Sequence, residues 1–304
     1  MHIINGRTTR LLSAVSVFAG CAQGFIHVNP PHCSCHTVGS MAAVDEVIAT
    51  PGAQATSKVP VANPEEGYDL AGLLSVKDTE SRDVWVLCHG LLSNKDGTVP
   101  LFVSQKANVN TFRFDFAGNG ESGGEFRYAG YQREVGDLRA VVSHLRSAGW
   151  DVVTLLGHSK GAAAVLKYGE AYDDVPLIIN VAGRFHTQET PRSRFTEEQW
   201  KMLEEEGSFQ WTVKGGVYPV RKEDFAERAG LDMLKTSQSI SKARVLTIHG
   251  QEDETIPVAD AHEFAKHIGQ HTLVVVEGAT HRFATEPEQK AVMEALAEHA
   301  LPRA

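Results

Sequence analysis

The chain has 304 residues, 42% hydrophobic and 22% charged, with a formal net charge of −9. That length buries a sizeable core without needing disulfides or metals, and the acidic balance argues against nucleic acid or an anionic membrane as the main partner. No motif requires a cofactor or a metal ion.

Charge and cysteine are unevenly spread. Residues 1–44 hold Arg7 and Arg10 and no acidic residue, and Cys21, Cys33 and Cys35 also fall there. Only Cys88 lies further on, so the folded part cannot depend on an internal disulfide. Leu11–Ala22 is an apolar run behind two arginines that ends in small residues. It is shorter than the roughly 20 residues of a spanning helix. This is the layout of a cleavable leader, with Ala22-Gln23-Gly24 before Phe25 as a candidate cleavage site. Residues 1–40 are therefore expected to be a signal-like or transit-like leader, sending the protein along a plastid or secretory route. The alternatives are a disordered tail, or translation from Met41 and a cytoplasmic protein. Residues 41–66 read as a linker.

From Gly67 onward short apolar runs alternate with helical stretches. Strands are expected at Leu70–Val76, Val84–His89, Thr111–Phe116, Val152–Leu156, Leu177–Val181, Val245–His249 and Leu273–Val276. The first of these could be half of an antiparallel hairpin. Helices are expected at Tyr131–Ala148, Lys160–Tyr172, Val258–Ile268 and Glu286–His299. Such alternation predicts a mostly parallel sheet of about eight strands with helices on both faces. It breaks once, at residues 186–240, where a charged helix (Phe195–Glu206), a hairpin around Lys214-Gly215-Gly216 and a helix near Asp224–Lys235 are expected. An insertion of that length has its own structure and is usually functional, so it reads as a lid.

The string Gly157-His158-Ser159-Lys160-Gly161 follows a strand and opens a helix. A Gly-x-Ser-x-Gly turn in that setting is a nucleophile elbow, tight enough that only small residues fit beside the serine. Serine needs a base to take its proton and a carboxylate to orient that base. In elbow folds these follow in the order serine, acid, histidine. Asp253, in the loop after one strand, and His281, just past the last strand, meet that order at the carboxyl edge of the sheet. Glu252 and Glu254 compete with Asp253, whereas His271 precedes its strand and falls on the wrong edge. The oxyanion of an attacked carbonyl needs preorganised N–H donors. The backbone N–H groups of Lys160 and of Leu91, after His89-Gly90, are the candidates.

Other residues have blander readings. His89, His158 and His249 flank glycine turns as packed groups, and Asp115 ties down a loop. Cys88 is core. The Lys160 side chain points to solvent or meets an anionic substrate, because a cation at a helix N-terminus opposes the dipole. The aromatics of 186–240 pack the lid or line a pocket.

Taken together, His89-Gly90, Asp115…Gly118-Asn119-Gly120-Glu121-Ser122, Gly157–Gly161, His249-Gly250…Asp253 and Gly278…His281 resemble the α/β-hydrolase superfamily. The nearest likeness is to its serine aminopeptidase-like and cinnamoyl-esterase-like branch, which includes plant and algal enzymes of undefined substrate. It spans about Gly67 to Leu301, within the expected domain of 67–304. No His-Gly-Gly-Gly run precedes Leu91, unlike hormone-sensitive-lipase relatives, and the elbow holds serine rather than the aspartate of epoxide hydrolases and dehalogenases. The resemblance implies hydrolysis of a small-molecule ester by a mature domain with no stable membrane insertion. Monoacylglycerol or lysolipid lipase, serine peptidase and a non-catalytic receptor are the alternatives.

Overall fold

The computed structural model describes residues 55–301. The leader reading falls on residues outside that range.

Ten strands and eight α-helices follow one another in the order β1 (Ala55–Asn63), β2 (Tyr68–Val76), β3 (Asp83–Cys88), α1 (Thr98–Lys106), β4 (Asn110–Phe114), α2 (Tyr131–Ser147), β5 (Asp151–His158) and α3 (Lys160–Tyr172). Then come β6 (Leu177–Val181), α4 (Glu197–Glu206), β7 (Ser208–Val213), β8 (Gly216–Arg221), α5 (Lys222–Ala229), α6 (Met233–Ser239), β9 (Arg244–Gly250), α7 (Val258–His267), β10 (His271–Val276) and α8 (Glu286–His299). Eight strands form one sheet in the order β1-β2-β4-β3-β5-β6-β9-β10, and β7-β8 is a separate hairpin. β2 runs antiparallel to both β1 and β4, and every other pairing in the large sheet is parallel.

Strand residues alternate between two cores. Val84, Val86 and Cys88 of β3 join Leu138, Val165 and Phe264 from α2, α3 and α7 on one face. Trp85 and Leu87 join Phe102, Val103, Val292 and Leu296 from α1 and α8 on the other. Central strands buried on both faces read as unbroken apolar runs, which is why their sequences were conspicuous.

Three local expectations change. Residues 55–63, expected within a linker, form β1, which pairs with β2 from Ala55↔Val76 to Asn63↔Tyr68. Pro60 hides it in sequence, but an edge strand tolerates a proline because one side of its backbone needs no partner. Helix α1 was not expected: Thr98-Val99-Pro100 and Val103 are poor helix formers, and burial of Val99, Phe102 and Val103 supplies the stability instead. The helix expected near 224–235 is two helices, broken at Gly230, with Asp232 capping the second through its bond from Lys235 N–H (2.8 Å). Among the described residues no helix is long and apolar enough to cross a membrane.

Candidate active site

Parallel strands β3, β5, β9 and β10 all deliver their carboxyl ends to one edge of the sheet, where the loops carrying Leu91, Ser159, Asp253 and His281 emerge. Ser159 connects β5 to α3 with φ 57° and ψ −116°, a left-handed conformation that is costly for a residue with a side chain. The turn is held by Ser159 N–H donating to Val181 O (2.9 Å) and by Ala162 N–H donating to Ser159 O (3.0 Å). A side chain at Gly157 would run into the Gly161 backbone, and one at Gly161 into that of His89. Both glycines of the elbow are thus required by close backbone approach.

Three predicted residues meet in one hydrogen-bonded line. His281 Nε2 lies 3.0 Å from Ser159 Oγ, and His281 Nδ1 lies 2.7 Å from Asp253 Oδ2. Asp253 Oδ1 accepts from Thr255 N–H (2.8 Å) and Ile256 N–H (2.7 Å), which aims its other oxygen at the imidazole. Burial alone would raise the Asp253 pKa, but the bonds from His249 and His281 outweigh it and hold the carboxyl below its usual range. Asp253 is therefore ionised at neutral pH and keeps the Nδ1–H tautomer of His281, leaving Nε2 to face the serine. The competing Glu252 and Glu254 are exposed. Glu254 Oε2 accepts weakly from His281 N–H (3.4 Å).

The loop of His281 is fastened from below by Glu288. Its Oε1 accepts from Thr280 N–H (2.7 Å) and Oγ1 (2.8 Å), and its Oε2 accepts from Thr285 N–H (2.7 Å) and Oγ1 (2.8 Å). Thr285 and Glu288 also form the capping box of α8, so one carboxylate fixes both the helix start and the histidine loop. These bonds, against the opposing effect of burial, lower the Glu288 pKa to about 2.

The three glycine-flanking histidines are packed groups. His89 accepts from Phe116 N–H (3.0 Å) through Nε2 and donates from Nδ1 to Gly90 O (2.8 Å), and burial lowers its pKa to about 4. His158 donates from Nε2 to His281 O (2.9 Å), and burial followed by the charge of His281 lowers its pKa to about 3. His249 does more than pack. It is fully buried, donates from Nε2 to Ile256 O (2.9 Å) and sits 3.3 Å from Asp253 Oδ2, so it touches the acid of the line directly. Its spacing of four from Asp253 was the available signal. Asp115 braces the loop after β3, accepting from Lys95 N–H (2.5 Å), Lys95 Nζ (2.9 Å) and Glu121 N–H (2.9 Å).

Gly90 lies against the nucleophile: a Cβ there would stand 3.0 Å from Ser159 Cβ. Leu91 follows, half-buried at the cavity wall, and Lys160 opens α3. The Lys160 side chain does not reach solvent as expected. Its Nζ donates to Glu134 Oε1 (2.6 Å) and sits over the Tyr131 ring at 5.3 Å. The like charge at a helix N-terminus is offset by this buried partner.

These residues border a cavity of about 320 Å³. Its walls include Tyr128, Tyr131 and Trp211, but also Arg184, Arg194, Arg228, Lys214 and Arg282. Of the lid aromatics, Trp211 reaches the cavity. Phe195, Trp200 and Phe209 pack in a cluster with Phe126 and Tyr128 instead, and the Trp200 indole donates to Arg192 O (2.8 Å). The arginines come from three separated segments, so no local pattern announced them.

A family model for serine aminopeptidase, S33, matches residues 79–206, which include Leu91, Ser159 and Lys160 but stop short of Asp253 and His281. No curated protein matches the chain in sequence. In structure the chain is similar to Est1E from Butyrivibrio proteoclasticus with ferulic acid bound, at TM-score 0.67 and 19% identity, covering 79% of this chain and 96% of that one. It is similar to mouse alpha/beta hydrolase domain-containing protein 10 at TM-score 0.63 and 21% identity, covering 80% and 97%. The esterase domain of a Rhodothermus marinus protein gives TM-score 0.61 and 20% identity, covering 81% and 98%. The plant and algal branch rests on the motifs alone.

Proposed function

We propose that this chain, an α/β-hydrolase by fold and by family match, is a serine hydrolase that cleaves a carboxylic ester through an acyl-enzyme. The observation that carries the reading is the unbroken contact from Asp253 through His281 to Ser159 Oγ, at 2.7 and 3.0 Å. In the reaction, Ser159 Oγ attacks the ester carbonyl while His281 Nε2 takes its proton. The Leu91 and Lys160 backbone N–H groups stabilise the resulting oxyanion. Collapse expels the alcohol, which receives the proton from His281. Water then attacks the acyl-enzyme with His281 again as base, and Ser159 regains its proton. Asp253 stays ionised throughout and stabilises the imidazolium.

A cavity of about 320 Å³ lies at the small end of ligand pockets. Together with its charged walls it favours a small polar ester over a long-chain lipid. The test is turnover of p-nitrophenyl esters across a chain-length series, with fluorophosphonate labelling mapped to Ser159. Absence of both turnover and labelling would sink the reading and leave a binding protein of hydrolase fold.

A further inference from the structure

The cavity beside Ser159 holds more positive charge than ester hydrolysis needs. Elsewhere in the inserted region arginines have carboxylate partners: Arg192 pairs with Glu197 (2.7 Å) and Arg221 with Glu125 (2.5 Å). The cavity arginines Arg184, Arg194 and Arg228 make no ion pair within 4.0 Å among the described residues. Arg228 is 8% exposed. Its Nη1 donates to Tyr131 Oη (2.7 Å), its Nη2 to Glu189 O (3.3 Å), and its buried Nε has no partner. Arg184 Nη2 donates only to Thr255 O (2.5 Å).

Arg228 and Arg194 both lie close enough to Arg184 to act on it. Burial, and then the charges of Arg228 and Arg194, lower the pKa of Arg184, against the opposing pull of Asp260. Asp260 acts on the group from a distance but makes no ion pair with it within 4.0 Å among the described residues; its Oδ2 accepts from Phe185 N–H (2.8 Å) and His186 N–H (3.3 Å). Nor do the acids of α5 pair with these arginines within 4.0 Å: Asp224 accepts from Ala129 and Arg221 N–H, Glu227 accepts from Gly130 N–H, and Glu223 is exposed. Lys160 is balanced by Glu134 and adds no free charge. Glu254 is the one acid among the cavity-lining residues, and it is exposed.

A buried guanidinium without a counter-charge is costly, and its forked donors match an oxyanion. We propose that the substrate supplies that counter-charge: the cavity takes an ester bearing a second, ionised group, a carboxylate or a phosphate, held by Arg184, Arg194 and Arg228. This rests on the ester-hydrolase reading for its reaction but not for its binding step.

The test compares matched substrates with the full chain. The p-nitrophenyl half-ester of adipic acid is set against its neutral methyl diester and against p-nitrophenyl hexanoate. The acetyl ester of 4-hydroxybenzoate is set against that of its amide, and the acetyl ester of 4-hydroxyphenyl phosphate reports on phosphate. At least one anionic member is expected to exceed its neutral partner tenfold or more in kcat/KM, with the ratio shrinking as salt rises. Arg228→Gln should cut that ratio about tenfold. Arg194→Gln, at a half-exposed site, should do the same if Arg228→Gln proves unstable. Preference for every neutral partner, or a ratio indifferent to both variants, overturns the proposal. If no ester is turned over, the ester reading fails separately. Calorimetry of Ser159→Ala with monomethyl adipate against dimethyl adipate, and with phenyl phosphate, then decides the anion site: binding of an anion alone supports it, and equal or no binding refutes it.

Discussion

The proposed mechanism makes Ser159, His281 and Asp253 act as a unit, so their substitutions should not add. Ser159→Ala is expected to lower kcat by about three to six orders of magnitude with an unchanged melting temperature, since the side chain is small and half-buried. Asp253→Asn should cost about four orders by permitting the wrong tautomer of His281. Ester kinetics beside a thermal melt check both, and wild-type turnover in Ser159→Ala would refute the assignment. Each of the three was legible from chain order and strand-end position. The chain alone favours Asp253 over its glutamate neighbours, and the turn at 253–256 gives the physical reason, since it points the Asp253 carboxylate inward. His249 is expected from the sequence to be a packed group, but its contact with Asp253 appears only in the fold.

At the scale of elements, Glu288 shows how one side chain ties α8 to the His281 loop. Its pKa in the folded chain, about 2, is below the ordinary carboxylate value of 4.5, so its stabilisation is present above about pH 4.5 and is lost as pH falls through about 2. Glu288→Gln should therefore lower stability by about 1 kcal/mol at pH 6, the scale of a lost cap. The gap from wild type should close near pH 2, as followed by denaturant melts across pH. Reduced kcat at pH 6 would accompany it if the tether positions His281; a gap independent of pH would show that charge is not what matters. The lid aromatics separate in the same way. Trp211→Ala opens the cavity wall and should change the ranking of ester acyl groups more than the turnover of p-nitrophenyl acetate. Trp200→Ala, 9% exposed and away from the cavity lining, should lower the melting temperature and slow all esters alike. Matching profiles for the two variants would dissolve the distinction.

For the whole molecule, truncation tests where the folded part begins. A chain shortened to begin at Met41 keeps β1 and is expected to fold and hydrolyse esters as the full chain does. One beginning at Gly67 loses β1, uncovers the edge of β2 and exposes the surfaces that Val59 and Val61 bury. Loss of those two contacts is expected to cost about 3–6 kcal/mol and much of the soluble yield. Soluble expression and melting temperature measure both, and an equally stable chain from Gly67 would return β1 to the status of a linker.

The order of strands and helices, the elbow and the serine-acid-histidine sequence were determined by the chain alone. Each rests on local chemistry: apolar periodicity for buried strands, glycine where backbones nearly touch, and a serine, an acid and a histidine in the order that elbow folds require. Where the pattern is weak, tertiary contacts took over. β1 exists because β2 offers it an edge, α1 because the core on one face of the sheet needs its valines and phenylalanine, and the break after α5 because Gly230 and Asp232 suit a stop and a cap better than a continuous turn. The character of the cavity was decided only in three dimensions. Trp200 and Trp211 are chemically alike and both pack on the lid cluster, yet of the two only Trp211 also borders the cavity. Arg184, Arg194 and Arg228 lie far enough apart along the chain to carry no pattern, and share an electrostatic setting only when folding brings them to one cavity with no ion-paired carboxylate within 4.0 Å among the described residues.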